Sequence, residues 1–134
     1  MISGPNKFYG DTVCGILLKQ ESENKLDLKY LLAILNSWLI EWFYKKTTVP
    51  KAGGFFIYKV MYLKTIPTAI CEKSEQLPLI SFVDRIFAIT KDKDYLQDPQ
   101  KQSQVKALEW EIDQMVYQLY SLTEEEIRIV EGDK

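Results

Sequence analysis

The stretch of sequence that decides the fold is LKYLLAILNSWLIEWFY, residues 28–44. Its apolar side chains recur at three- and four-residue steps, as they do along the buried face of a helix. Ile34 and Trp38 widen this stripe until most of the circumference is apolar. Because such a helix must be covered on several sides, we expect it at the centre of the domain. The pattern predicts a single buried helix from Leu28 to Tyr44, with Asp27 as its N-cap.

Short strands are expected on both sides of this helix. Residues 7–19 are rich in strand-forming side chains, with a turn expected near Gly10. Downstream, Phe55–Tyr58 also predicts a strand, and Lys59–Lys64 fits either its continuation or a short helix. The predicted fold class is therefore α+β, mostly helical overall, with a few short strands around the buried helix.

The second half of the chain predicts a helical hairpin and a short terminal helix. The first helix is predicted over Pro78–Ile89, with Pro78 at its first position. Asp98 caps a second helix over Gln100–Tyr120, and the two are expected to pack antiparallel. Thr123 and Glu126 match a capping box at the start of the last helix. We therefore divide the chain into residues 1–67 and residues 68–134.

The composition excludes several kinds of catalytic and metal site. The chain has no histidine, which removes Ser-His-Asp and Cys-His catalysis. Cys14 and Cys71 lie too far apart for the usual zinc spacings. We expect both as reduced, buried thiols, with a single disulfide between them as the alternative. No phosphate-binding glycine motif is present. We therefore predict no catalytic residue and no metal ligand.

Membrane and secretory signals are absent from the sequence. No apolar run reaches the roughly 18–20 residues that a membrane span needs. The first residues also lack the features of a signal peptide. These observations predict a cytoplasmic protein.

Charge is distributed unevenly along the chain. The net charge is −2, yet residues 41–66 contain five lysines against Glu41 alone, a balance of +4. Residues 100–134 contain four basic and eight acidic side chains, a balance of −4. This polarity would orient the protein on a polyanion, although two solvated faces that happen to differ explain the charge equally well.

The basic stretch also interleaves aromatic rings and a Gly-Gly pair. Lysines neutralise phosphates, Tyr and Thr hydroxyls contact phosphates or base edges, and glycines allow a close backbone approach. The alternative is that Phe55, Ile57 and Tyr62 are core residues with a rim of solvated lysines. We expect Phe55 and Tyr62 to hold the turn in place. The candidate DNA-binding residues are Lys45, Lys46, Thr47, Thr48, Lys51, Gly53, Gly54, Tyr58, Lys59 and Lys64.

Four segments of the chain carry a family resemblance. They are LLAILNSWLI (31–40), PKAGGFF (50–56), YLKTIP (62–67), and IDQMVYQLY with LTEEE (112–126). In this order they resemble the TaqI-like C-terminal specificity domain of type IIG (Eco57I-type) restriction-modification enzymes and related adenine-specific methyltransferases. The resemblance implies a bacterial, cytoplasmic target-recognition domain that binds double-stranded DNA and positions an adenine for methylation.

The resemblance also implies that the chemistry lies outside this chain. The Asn-Pro-Pro-Tyr motif of those methyltransferases is absent here, as is a PD…ExK nuclease pattern. The parent enzyme would bind S-adenosylmethionine, and Mg²⁺ if it also cleaves DNA, whereas this chain would bind no cofactor. Its 78–120 helices would face the methyltransferase domain or a second copy of the chain.

The rival interpretation is a helical protein-interaction or dimerisation module that never touches DNA. The acidic pI near 5.2 and the aromatic-rich helix both favour it. A contiguous basic surface around residues 45–64 would favour DNA, and an exposed apolar stripe on the 100–120 helix would favour a partner protein.

Overall fold

The computed structural model describes residues 15–134, and within this range it is helical with no strand. The helices are α1 Leu28–Leu35, α2 Trp38–Thr47, α3 Val60–Leu63, α4 Lys73–Thr90, α5 Pro99–Leu119 and α6 Glu124–Gly132, with a 3-10 turn at Tyr95–Gln97. The predicted α+β fold class is therefore wrong. The turn expected near Gly10 and the Cys14 thiol lie outside the described residues, while Gly15–Lys19 has no regular structure.

The strand predicted at Phe55–Tyr58 is an irregular segment because no second strand pairs with it. Its carbonyl groups find other donors. The Phe55 carbonyl accepts from the Lys51 N–H at 2.8 Å, and the Ile57 carbonyl accepts from the Tyr44 hydroxyl at 2.7 Å. β-Propensity reflects how a side chain fits a sheet, and it does not create a strand where no sheet exists. The Lys59–Lys64 alternatives resolve to the short helix α3.

The predicted central helix is two helices, α1 and α2, broken at Asn36–Ser37. The Asn36 side chain donates to the Leu32 carbonyl at 2.9 Å, and Ser37 becomes the N-cap of α2. Short polar side chains compete with the helix for backbone hydrogen bonds in this way. The continuous helix is therefore a wrong prediction, although Asp27 caps α1 as expected, accepting from the Lys29 N–H at 2.7 Å.

A single hydrophobic cluster joins the two halves of the sequence. Its buried members are Tyr30, Ala33, Ile34, Leu39, Ile40, Leu79, Val83, Ile112, Val116, Tyr117 and Val130. They come from α1, α2, α4, α5 and α6, so the 28–44 segment does lie at the centre of the packing. Helices α4 and α5 pack against each other and against α1.

Helix α4 begins at Lys73, five residues before the predicted start, and Pro78 lies inside it. The Glu75 carboxylate accepts from the Glu72 N–H at 3.0 Å, which satisfies a backbone donor at the true start of the helix. A proline in a helix interior removes one hydrogen bond, but the buried neighbours Gln76 and Leu79 hold this turn against the core.

Two other helix starts agree with their predicted signals. Asp98 caps α5 by accepting from the Gln100 and Lys101 N–H groups, with Pro99 at the first position. Thr123 and Glu126 form the predicted capping box of α6. Local capping chemistry therefore predicts these starts correctly.

The connection from α3 to α4 is fixed by side chains of the helical body. The Tyr30 hydroxyl donates to the Ala69 carbonyl at 2.9 Å, and the Tyr120 hydroxyl accepts from the Ala69 N–H at 3.1 Å. Cys71 is a free, half-buried thiol whose Sγ lies 3.4 Å from the Tyr30 hydroxyl. Burial raises the pKa of Tyr30 well above its ordinary value, so its hydroxyl stays protonated as a donor.

None of the helices in residues 15–134 is long and apolar enough to cross a membrane.

Candidate nucleic-acid interface

Tyr44, at the C-terminal part of α2, anchors the segment that carries the basic residues. Its side chain is 2% exposed. Its hydroxyl donates to the Ile57 carbonyl at 2.7 Å and accepts from the Lys59 N–H at 3.1 Å. The ring stacks on Tyr58 with 4.7 Å between centroids and meets Tyr62 edge-on at 6.3 Å. One buried tyrosine therefore fixes the backbone of residues 57–59.

Tyr44 is not among the predicted site residues, because its place in the sequence marks only the end of the predicted helix. The sequence does contain a signal for this anchoring role. A tyrosine within a buried apolar stripe needs a hydrogen-bond partner for its hydroxyl, and that partner has to come from a neighbouring segment.

Between Tyr44 and the residues 57–59 that it holds, the chain makes a tight turn at Lys51–Phe55. The Gly54 N–H donates to the Lys51 carbonyl at 3.0 Å, and the Lys51 N–H donates to the Phe55 carbonyl at 2.8 Å. Gly53 and Gly54 have φ of +93° and +79°, a region that side chains with a Cβ rarely adopt. The two glycines therefore shape the turn, and all its residues are exposed.

The candidate lysines fall into two groups by their partners. Lys51, Lys59 and Lys64 are exposed, and none has an ion pair within residues 15–134. No aspartate or glutamate occurs between Glu41 and Glu72 in the sequence. These three ammonium groups are therefore uncompensated by local carboxylates and are available to an anion.

Lys45 and Lys46, on the last turn of α2, are already paired. Lys45 Nζ lies 2.6 Å from the Glu41 carboxylate, one helical turn away. Lys46 Nζ lies 2.9 Å from the carboxylate of Asp133, just after α6. Each ammonium also lies over an indole ring, Lys45 over Trp38 at 5.1 Å and Lys46 over Trp42 at 5.8 Å.

The two candidate threonines use their only hydroxyl proton within the protein. Thr47 Oγ1 donates to the Phe43 carbonyl at 2.9 Å, and Thr48 Oγ1 donates to the Tyr44 carbonyl at 2.7 Å. Their oxygens keep lone pairs, so towards DNA they can act only as acceptors. That chemistry matches a base amino group and does not match a phosphate oxygen.

Tyr58 is the third candidate with a hydroxyl group. Partial burial of the side chain raises the pKa of Tyr58, and the Glu41 carboxylate raises it further. The residue is 53% exposed while one ring face stacks on Tyr44. Tyr58 is therefore a protonated phenol on the surface of the anchored segment.

Apolar side chains are also exposed around the turn. Phe55 is 74% exposed, whereas Tyr62 is half-buried against Tyr44. Tyr62 thus lies where a supporting residue would, while most of the Phe55 ring faces solvent and only its edge lies near Gly53. Val49, Val60 and Met61 are exposed as well.

Within residues 15–134, no three His, Cys, Asp or Glu side chains come together in a way that could hold a metal ion. Two acidic groups of α5 and α6 make structural contacts. Asp113 accepts from the Trp38 N–H, and Glu131 accepts from the Tyr117 hydroxyl at 2.7 Å. The basic segment from α2 to α3 is therefore the candidate site.

Comparison with known proteins identifies the same segment. Residues 4–68, just under half of the chain, match the model of the TaqI-like C-terminal specificity domain. Searches of curated proteins and of solved structures found no match. The matched range contains α1, α2, the Gly-Gly turn and α3, and it ends one residue beyond the predicted boundary at residue 67. A specificity domain recognises its target and is not itself catalytic. Residues 4–68 therefore match the TaqI-like C-terminal specificity domain, and this match implies the recognition of DNA sequence in a restriction-modification protein.

Proposed function

We propose that this chain recognises a specific duplex DNA sequence and positions a target adenine for methylation by the methyltransferase domain of its parent protein. The observation that carries the proposal is the surface between α2 and α3. There Lys51, Lys59 and Lys64 are exposed and unpaired within the described residues, next to a Gly-Gly turn. The family match covers the same residues.

In this proposal the three unpaired lysines contact DNA phosphates. Phosphate contacts supply most of the affinity and set the register of the protein on the duplex, although they carry no sequence information. Because Tyr44 holds the Ile57 carbonyl and the Lys59 N–H, these charges are presented on a backbone that is already ordered. Less conformational entropy is then lost on binding.

Sequence readout is assigned to the neighbouring polar groups. Thr47 and Thr48 can accept a hydrogen bond from the amino group of adenine or cytosine in the major groove. Tyr58, which is 53% exposed beside the turn, is assigned a contact with a base or a sugar. The exposed Gly53–Gly54 backbone allows the turn to approach a groove closely.

The remaining expectations concern the parent protein. We assign S-adenosylmethionine to its methyltransferase domain, and Mg²⁺ to a nuclease domain if the parent is a type IIG enzyme that also cleaves DNA. We further propose a bacterial, cytoplasmic protein. No step of recognition proposed for this chain depends on either group.

The salt dependence of DNA binding tests the proposal. The full chain with Lys51, Lys59 and Lys64 all changed to Ala is compared with wild type on a mixed-sequence 30-base-pair duplex, by fluorescence anisotropy at several salt concentrations. Each lost phosphate contact should flatten the slope of log K against log salt by about 0.9, or roughly 2.7 for all three. A slope equal to that of wild type would remove these lysines from the interface.

A charge-matched control separates local contacts from overall charge. Lys91, Lys93 and Lys106 are exposed, have no ion pair within the described residues, and lie outside the matched domain. Changing all three to Ala removes the same charge and should leave most of the slope intact. An equal loss of salt slope in both triple variants would show that the effect comes from net charge alone.

The helices beyond the matched domain favour a protein partner. Trp110 on α5 is 53% exposed, and Phe87 on α4 is 40% exposed. We assign these helices to contact with the methyltransferase domain or with a second copy of the chain. Sedimentation of the wild-type chain and of Trp110→Glu distinguishes the two partners. A wild-type dimer that becomes a monomer in Trp110→Glu indicates a second copy of the chain, whereas a monomer in both cases leaves the methyltransferase domain as the partner. Loss of DNA binding in the same variant would indicate that these helices, and not the basic segment, face the DNA.

A further inference from the structure

The carboxylate of Asp133 occupies an anion site formed by two donors of α2. One of its oxygens, Oδ2, lies 2.8 Å from Trp42 Nε1 and 2.9 Å from Lys46 Nζ. Trp42 and Lys46 are one helical turn apart, so both donors point from the same face of α2. A cleft of about 250 Å³ surrounds the contact, lined by Trp38, Trp42, Lys45, Lys46 and Asp133.

This donor set fits a phosphodiester as well as it fits a carboxylate. An ammonium and an indole N–H both donate to an anionic oxygen, and neither can accept. The ammonium of Lys45 borders the same cleft and is held there by Glu41 of its own helix. The site lies on the helix that leads directly into the basic turn, on the segment assigned to DNA.

Asp133 is held by contacts that a competing anion can replace. The side chains of Lys46 and Asp133 are 56% and 47% exposed. Ion pairs with this much exposure contribute little net stability, since water and salt screen them. By contrast, the Asp113 side chain, which accepts from the Trp38 N–H on the same helix, is only 9% exposed. Of the two carboxylates that contact α2 from the C-terminal half, Asp133 is therefore the exchangeable one.

We propose that Trp42 Nε1 and Lys46 Nζ form a phosphodiester-binding site, and that the Asp133 carboxylate occupies this site in the absence of DNA. The inference rests on the proposed function, since it requires this end of α2 to face the duplex. On binding, a DNA phosphate takes the place of the carboxylate, and Asp133 turns to solvent. The internal ion pair then acts as a competitor that lowers the affinity for any polyanion.

The test is Asp133→Asn, which removes the charge but keeps an oxygen that can accept from Trp42. On the mixed-sequence duplex, the variant should bind about two- to fivefold more tightly than wild type, the range that loss of one exposed ion pair implies. In a Lys46→Ala background the same substitution should give no gain. An unchanged affinity for Asp133→Asn, or an equal gain in both backgrounds, overturns the proposal.

Two further measurements keep the result specific. Glu111→Gln makes the same change in net charge on α5, at an exposed residue without an ion pair among the described residues, and should not reproduce the gain. The indole ¹H–¹⁵N resonance of Trp42 should shift at DNA saturation in the wild-type chain. A resonance that stays in place contradicts the exchange.

Failure of this inference is distinguishable from failure of the proposed function. If the Lys51, Lys59 and Lys64 triple variant loses salt-dependent affinity while Asp133→Asn changes nothing, recognition through the turn stands and only the exchange is wrong. If the triple variant also behaves as wild type, the DNA surface itself is misplaced.

Discussion

The main-chain N–H of Trp38 donates to the Asp113 carboxylate at 2.7 Å, across 75 residues of sequence. Trp38 is the first residue of α2, and Asp113 lies in the middle of α5. The first N–H groups of a helix have no partner within it, so α5 supplies one from outside. The helix that carries Lys45 and Lys46 is thereby oriented by the part of the chain beyond the specificity domain.

Asp113→Ala should destabilise the protein by about 1–3 kcal/mol, because it leaves the part-buried Trp38 N–H without an acceptor. Asp113→Asn keeps a side-chain carbonyl and should cost less. Asp84→Ala, which breaks an exposed pair with Lys29, is the control and should change stability by less than about 1 kcal/mol. Urea unfolding measures all three. Equal losses for Asp113→Ala and Asp84→Ala would contradict the capping role.

Gln76 is the second polar residue on which the packing depends. It is fully buried, its Oε1 accepts from the Asp27 N–H at 3.1 Å, and its Nε2 donates to the Lys25 and Cys71 carbonyls at 2.7 and 3.0 Å. Gln76→Leu should cost at least about 2 kcal/mol of unfolding free energy, since it leaves three backbone groups unpaired. Gln104→Leu, at an exposed position on α5, should cost little.

Local signals in the sequence predict helix starts well but do not predict what lies across the core. Asp98 and Thr123 act through neighbours two or three residues away, so a short window contains the whole interaction. Trp38 and Asp113 meet only after the chain has folded. The break at Ser37 shows both effects, because its polar pair was visible in the sequence whereas the acceptor that completes the cap was not.

The capping box of α6 gives a pH-dependent prediction. Hydrogen bonds from the Thr123 N–H and hydroxyl lower the pKa of Glu126 below its ordinary value of 4.5. A carboxyl with a lowered folded-state pKa contributes stability above its unfolded value, and this contribution is lost as pH falls through the folded pKa. Glu126→Gln should therefore flatten the decline in stability below about pH 4.5.

Glu125→Gln provides the control for that measurement. Glu125 is exposed on the same turn, and its side chain makes no hydrogen bond within the described residues. Thermal unfolding between pH 3 and pH 6 should show the wild-type slope for this variant. If both variants flatten the profile equally, the effect belongs to the general acidity of the turn.

The sequence predicts which residue types the candidate site contains, but it does not predict which residues they pair with. The basic and Gly-rich character of residues 45–64 is visible in the sequence, and the family match falls on it. The pairing of Lys46 with Asp133 and the donation from Trp42 to the same carboxylate, 91 residues away, depend on how α6 docks on α2. Lys45, Lys46 and Lys51 are therefore equivalent in the sequence, whereas in the fold the first two have ion pairs and Lys51 has none within the described residues.

Ser121 stores strain between α5 and α6. Its φ is +56°, which makes it the single non-glycine residue with positive φ in residues 15–134. Ser121→Gly should raise the unfolding free energy by about 0.5–1 kcal/mol, because glycine adopts this conformation without a Cβ clash. Ser103→Gly, on an exposed face inside α5, should lower it by about 0.5 kcal/mol or more. A loss at Ser121 would contradict the strain.

A substitution in the Gly-Gly turn tests whether its backbone conformation matters for the proposed DNA binding. A Cβ at Gly53 would lie in ordinary contact with the Phe55 ring at 3.4 Å, but at φ of +93° it would be strained within its own residue. Gly53→Ala should therefore distort the turn and lower DNA affinity, while the salt slope stays near the wild-type value because every lysine remains. Ala52→Ser adds an atom in the same turn where no positive φ is required, and it should bind as wild type does. Anisotropy titrations of both variants at two salt concentrations separate the outcomes. A flattened slope in Gly53→Ala would mean that the glycines only hold Lys51 in place. An unchanged affinity would remove the turn from the DNA interface and leave Lys59 and Lys64 to carry it.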